Sequence, residues 1–182
     1  MFLTVSVLLA VLVGLARGGK WSNLGAFKFK KIWLVVIALA MQLLVFNSIW
    51  DRHVGPGMQT SLIYWASIIL VVLFALANAG VKGFRLLGAG VLLNSLAIAA
   101  NGGSMPSSLE ALEKILTAEK IDQLVNGMAS YNVILISDTT KLKYLCDIFY
   151  IPGVNVYSIG DGLIAVGAFL AIQQIMLFRK NY

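Results

Sequence analysis

The 182 residues are 59% hydrophobic and only 12% charged, with a net charge of +6. Soluble domains carry about 25% charged residues, so this chain has too few charges to cover a water-facing surface, whereas a hydrocarbon solvent accepts an apolar exterior. The positive charge does not mark a nucleic-acid binder, because the basic residues lie between apolar runs without a base-stacking motif. A phosphate-bearing lipid surface is the expected neighbour.

The first apolar run extends from Phe2 to Ala16 and has its basic flank, Arg17 and Lys20, on the C-terminal side. A cleaved signal peptide has the opposite polarity. Extended through Gly18 and Gly19, the run approaches the roughly 20 residues of a spanning helix and is read as a retained first span over 2–19. Residues 17–31 then alternate Trp21, Phe27 and Phe29 with Lys20, Lys28, Lys30 and Lys31, without an acid. This pattern suits a headgroup region, with a short amphipathic piece on the surface.

The second expected span, 32–50, carries Gln42 inside and Asn47 near its far end. A turn around Gly55-Pro56-Gly57 leads to the third, 60–79. A basic turn with Lys82 and Arg85 precedes the fourth, 86–101, which contains Asn94 and ends at Asn101-Gly102-Gly103. Residues 104–153 are polar enough for water and too long for a structureless loop, so they are expected to form a helical cap. Ser107 and Glu110 have capping-box spacing, and two short helices should meet near Thr117. Tyr131 to Ile136 is too short to span, and Thr139 to Phe149 is read as another short helix capped by Asp138. The fifth span, 156–178, is interrupted near its start by Gly160-Asp161-Gly162, and Arg179 and Lys180 follow it. There is no convincing internal repeat, so an inverted-repeat transporter within one chain is not indicated.

Loop charges set the expected orientation. Residues 17–31 hold five Lys or Arg, the turn after the third span two, and the C-terminal tail two, with no acid among them. The opposite side carries Arg52, Lys114, Lys120, Lys141 and Lys143 together with seven acids, Asp51 to Asp147. By the positive-inside rule the first set is cytoplasmic. The N-terminus and the cap then lie outside and the C-terminus in the cytoplasm.

Asp161 is the only acid within the five runs. A carboxylate at the bilayer centre costs about 2.5–3.5 kcal/mol by insertion scales, and less near an interface. Ser158 or Asp161 could simply cap the fifth helix. Alternatively, Asp161 with Asn101, Asn47, Asn94, Gln42 and Ser158 describes a polar pocket opening outward, although interhelical hydrogen bonds would also account for the amides. Asp161 is expected where the second, fourth and fifth helices meet, within reach of Asn101 or Asn47. Cys146 is alone and reads as a small buried residue. His53 is also alone, so neither a metal site nor a serine–histidine–acid triad is expected. The glycines after Asn101 do not make a phosphate loop. Gly167 and Ala171 form a small-xxx-small pair that suits close helix packing or a dimer.

Three segments taken together, Asn101-Gly102-Gly103-Ser104-Met105-Pro106, Asp147-Ile148-Phe149-Tyr150-Ile151-Pro152 and Val156-Tyr157-Ser158-Ile159-Gly160-Asp161, resemble a family of uncharacterised prokaryotic multi-pass membrane proteins, a domain of unknown function. The resemblance implies a bacterial or archaeal cell membrane and brings no activity. The expected fold is therefore an all-α bundle, one membrane domain over 1–182. The expected role is non-enzymatic binding or an accessory function, without a cofactor. The expected partners are membrane lipids, with a homodimer or another membrane protein besides. A proton- or cation-coupled transporter acting as a dimer is the first alternative, and a lipid-modifying enzyme the second.

Overall fold

The computed structural model describes residues 2–45, 50, 53–54, 58–126, 133–152 and 155–178. Its main elements are the apolar helices α1 (Phe2–Ala16), α3 (Trp33–Val45), α4 (Met58–Ala77), α5 (Phe84–Ala100) and α8 (Ile159–Met176), with a short α2 (Trp21–Ala26) between the first two. α4 and α8 are long and apolar enough to cross a membrane, and α1, α3 and α5 are shorter apolar helices. Packing runs in the order α1, α8, α5, α4, α3, so the last helix in the chain lies between the first and the fifth.

Glycine spacing explains how α8 fits there. Gly83 and Gly90 are seven residues apart, as are Gly160 and Gly167, and residues at this spacing share one helix face. Gly83 faces Gly167 and Gly90 faces Gly160 in an antiparallel crossing. A Cβ on Gly167 would lie 2.6 Å from the Gly83 carbonyl oxygen and 2.8 Å from the Leu87 nitrogen. A Cβ on Gly90 would strike the Gly160 carbonyl. The two backbones therefore touch, which side chains would prevent. Within the chain Gly167 lies on Gly83, and Ala171 is buried with Ala75 and Phe84.

One end of the bundle is bound together by amides. Asn78 grips the backbone of Lys30 at both ends, accepting from its nitrogen at 2.9 Å and donating to its oxygen at 2.9 Å. Asn23 donates to the carbonyls of Met176 and Phe178 at the C-terminal end of α8, and Lys20 N–H donates to the Met176 carbonyl. These bonds satisfy carbonyls that a helix end leaves without an internal partner. Gln173 donates to the Ala10 carbonyl and accepts from Arg17 at 3.0 Å, tying α8 to α1. Phe29 packs on Phe74 and Phe84, with ring centroids 5.9 and 5.8 Å away.

The other end departs from an all-α expectation. Mostly helical, the described residues also include four short strands: β1 (Met105–Ser107), β2 (Val133–Leu135), β3 (Phe149–Ile151) and β4 (Asn155–Tyr157). β1 and β2 pair in parallel and β3 and β4 antiparallel. Between β1 and β2 lie α6 (Leu109–Leu112) and α7 (Ala118–Val125), with Thr117 at the start of α7. The cap of α6 is Ser108 rather than Ser107: Ser108 Oγ accepts from Ala111 N–H, while Ser107 is taken into β1. The expected helix from Thr139 to Phe149 is only a 3-10 turn, Lys143–Leu145, because Phe149 starts a strand and Asp147 pairs its backbone with Pro106 and Ser108. Val156 and Tyr157 are likewise strand, so α8 begins at Ile159. In each case an inter-segment backbone ladder satisfied the peptide groups that a local helix would otherwise have bonded.

Candidate functional site

The N-terminus of α8 is closed by a capping box. Ser158 Oγ accepts from Asp161 N–H at 3.0 Å, and Ser158 N–H donates to Asp161 Oδ2 at 3.1 Å. This reciprocal pair satisfies two donors at the helix start and places a carboxylate at the positive end of the helix dipole. Asn94 on α5 joins both members. Its Nδ2 donates to Asp161 Oδ1 at 2.8 Å, and its Oδ1 accepts from Ser158 Oγ at 2.7 Å. Gly160 makes the approach possible, because a Cβ there would overlap the Asn94 amide. Ser158 is completely buried.

A second carboxylate, Asp147, is near enough to Asp161 for the two charges to interact. Asp147 lies between the fully buried Cys146 and Ile148, with its backbone held by Pro106 and Ser108. Its Oδ2 accepts a long hydrogen bond, 3.5 Å, from the buried Ser107. Its Oδ1 is buried without a hydrogen-bond partner. Burial, with the Asp161 charge adding to it and the Ser107 bond opposing it, pushes the Asp147 carboxyl up to about 6. Burial, and then the Asp147 charge, also raises the neighbouring Cys146 thiol, which keeps it protonated and unreactive.

Of the six residues singled out from the sequence, Asn94, Ser158 and Asp161 are thus in direct contact. Gln42 bonds elsewhere: its Nε2 donates to Ser67 Oγ at 3.0 Å, joining α3 to α4. Asn101 holds the backbone of Lys141, accepting from its N–H and donating to its carbonyl, both at 2.9 Å, and so fastens the strand region to the end of α5. Asn47 lies outside the described residues. A further polar contact, between Tyr64 and Ser95, ties α4 to α5.

Asp147 was not singled out from the sequence, and Ser107 was read there only as a helix cap. Asp147 reads there as one of seven acids in a water-facing stretch. The available signal was its setting, a single charge inside the apolar run Tyr144-Leu145-Cys146-Asp147-Ile148-Phe149. Among the described residues no three of His, Cys, Asp and Glu gather as a metal set would. What the site offers is two carboxylates, one fully bonded and one with a free buried oxygen, lined by two hydroxyls and an amide. Such an arrangement can hold a proton, a small cation or a hydrogen-bond donor.

Comparison with known proteins agrees in scope. Residues 26–173 match a family described as of unknown function, DUF5317. An uncharacterised protein of Thermotoga maritima is 25% identical over 170 residues, which cover 91% of this chain and 84% of that protein. No solved structure matches the chain.

Proposed function

For a chain that belongs to the DUF5317 family of unknown function, whose membership assigns no chemistry, we propose a role read from the site: a five-span, non-enzymatic membrane protein that binds a small cationic or hydrogen-bond-donating ligand where Asp147 meets Asp161. The observation that carries this reading is the buried, unpartnered Asp147 oxygen beside a second carboxylate. A buried polar atom without a partner costs free energy, and a donor or cation delivered there removes that cost.

The membrane reading is supported by the exterior of the bundle. Leu12, Val36, Leu43, Leu62 and Leu76 are each more than half exposed, an apolar surface larger than single scattered residues would give. The described Lys and Arg of residues 17–31 and of the turn between α4 and α5 gather at one end without acids, while Lys114, Lys120, Lys141 and Lys143 share the other end with the strands and with acids, Asp147 and Asp161 among them. By the positive-inside rule the carboxylate end faces outward. Residues 104–153 would then form the outer cap, made of short helices and strands.

A second reading, a proton-coupled transporter, is favoured by the Asp147 carboxyl near 6, because such a group changes charge in the range where outward-facing proton sites work. Both readings are tested on purified protein by thermal shift with ammonium, methylammonium, guanidinium, Na+ and K+ at pH 7.5, and by proton flux in vesicles. Binding predicts stabilisation by at least one of these cations, lost in Asp147→Asn. Equal responses of the wild type and Asp147→Asn to every cation would reject the binding site. A proton flux abolished by Asp147→Asn or Asp161→Asn would replace binding by transport.

A further inference from the structure

We propose that the basic end of the bundle is a binding surface for anionic phospholipid headgroups, selective for them over zwitterionic ones. This rests on the membrane reading above and concerns the end opposite the carboxylates.

Residues 27–30 are not helical, Phe27 is extended, and exposure alternates along the four residues. Phe27 and Phe29 turn inward, with ring centroids 4.8 Å apart, and Phe29 reaches the Phe74–Phe84 cluster. Lys28 and Lys30 turn outward and are exposed, as is Lys31. The period of two is that of any extended chain. The aromatic pair fixes which face the lysines take.

The backbone beneath these charges is anchored. Lys30 is clamped by Asn78, Lys20 N–H is bonded to the Met176 carbonyl, and Lys82 N–H donates to the Gln174 side chain at 2.5 Å. Arg17 and Arg85 are exposed at the same end. The sequence has no acid before Asp51 and none between Asp51 and Glu110. Among the described residues the ion pair is Lys114–Glu110, in the strand region, and none of these cations has an acidic partner among the described residues. Like charges held together on fixed backbone repel one another unless an external anion screens them.

The neighbouring apolar groups narrow the anion to a lipid. α2 has no buried residue, and Trp21 is 65% and Trp33 55% exposed beside those lysines. Exposed indoles flanking ammonium groups match the boundary where headgroup phosphate meets acyl chain. A nucleic acid or an acidic protein would meet the charges but would leave the outer edge of Ile32 and Trp33, continuous with the apolar face of α3, in water.

The test uses lipids with brominated acyl chains, which quench tryptophan at van der Waals range. The full-length protein carrying Trp50→Phe and Trp65→Phe, which leaves Trp21 and Trp33 as reporters, is reconstituted with brominated phosphatidylglycerol or phosphatidylcholine. Expected is stronger quenching by the glycerol lipid, reduced in 0.5 M salt. The preference should fall about fivefold for each lysine removed in the series Lys28→Gln, Lys30→Gln and Lys31→Gln. It should persist in Lys120→Gln/Lys143→Gln at the opposite end. Arginine at the same three positions should retain it, which guards against a glutamine variant that misfolds. Equal quenching by both lipids overturns this inference and leaves the membrane reading standing. No quenching by either overturns both. A preference that survives the three glutamines but is lost with Lys120 and Lys143 places the surface at the wrong end and also overturns it.

Discussion

Substitution of Asp147 by Asn isolates the cost of the buried carboxylate. In the open chain an aspartate titrates near 3.8; in the fold Asp147 is raised to about 6 by burial and, secondarily, by Asp161. A raised carboxyl favours the fold while it is protonated. Its contribution is therefore fully present below about pH 3.8 and is lost as pH rises through about 6. The difference corresponds to about 3 kcal/mol at 1.36 kcal/mol per pH unit, and the partial solvent contact of the side chain reduces it to about 2. Asparagine cannot ionise, so the variant should gain about 2 kcal/mol over wild type at pH 7.5 and nothing near pH 4. At roughly 2–4 °C per kcal/mol for a chain of this size, the midpoint difference should grow from zero to about 4–8 °C. The assay is thermal unfolding in detergent, followed by tryptophan fluorescence at intervals from pH 4 to 7.5. Other titrating groups cancel in the difference between the two proteins. Parallel pH profiles, with no divergence between pH 4 and 6.5, would refute the assignment of a strained charge to Asp147.

Three further outcomes follow from the geometry. Gly160→Ala should destabilise by about 1–3 kcal/mol because its methyl overlaps the Asn94 amide, whereas Gly162→Ala, with open space around it, should be neutral or slightly stabilising; equal melting points for the two would contradict the close crossing. Asp161→Ala should cost about 1 kcal/mol and Asp161→Asn much less if the residue acts only as a cap, while loss of cation response in Asp161→Asn would assign it a binding role. Single cysteines at Lys30 and Glu113 should label from opposite sides of intact cells with a membrane-impermeant reagent, Glu113 from outside, and the buried Cys146 should stay silent; labelling of both from the same side rejects the orientation.

The apolar helices were legible in the sequence because the property that defines them is local. A run of hydrophobic residues bounded by Lys, Arg or Gly satisfies its own backbone by helix formation wherever it lies. The cap at Ser158 and Asp161 was legible for the same reason, since its bonds span three residues. What the tertiary structure decided depends on partners distant in the chain. The Ser107–Asp147 contact closes over forty residues and Asn94–Asp161 over sixty-seven, separations at which no spacing rule operates. The strands were missed because three-residue ladders draw their hydrogen bonds from another segment and leave no periodicity of their own. Asn101 and Gln42 looked equivalent to Asn94 as amides near helix ends or interiors, and only the packing order assigned Asn101 to a loop clamp, Gln42 to the α3–α4 contact and Asn94 to the carboxylates. Asp147 shows the limit most plainly. In sequence it is a charge among charges. The fold removes water from one of its oxygens and sets Asp161 near it, and that change of surroundings, which no residue type encodes by itself, makes it the chemically distinctive group of the chain.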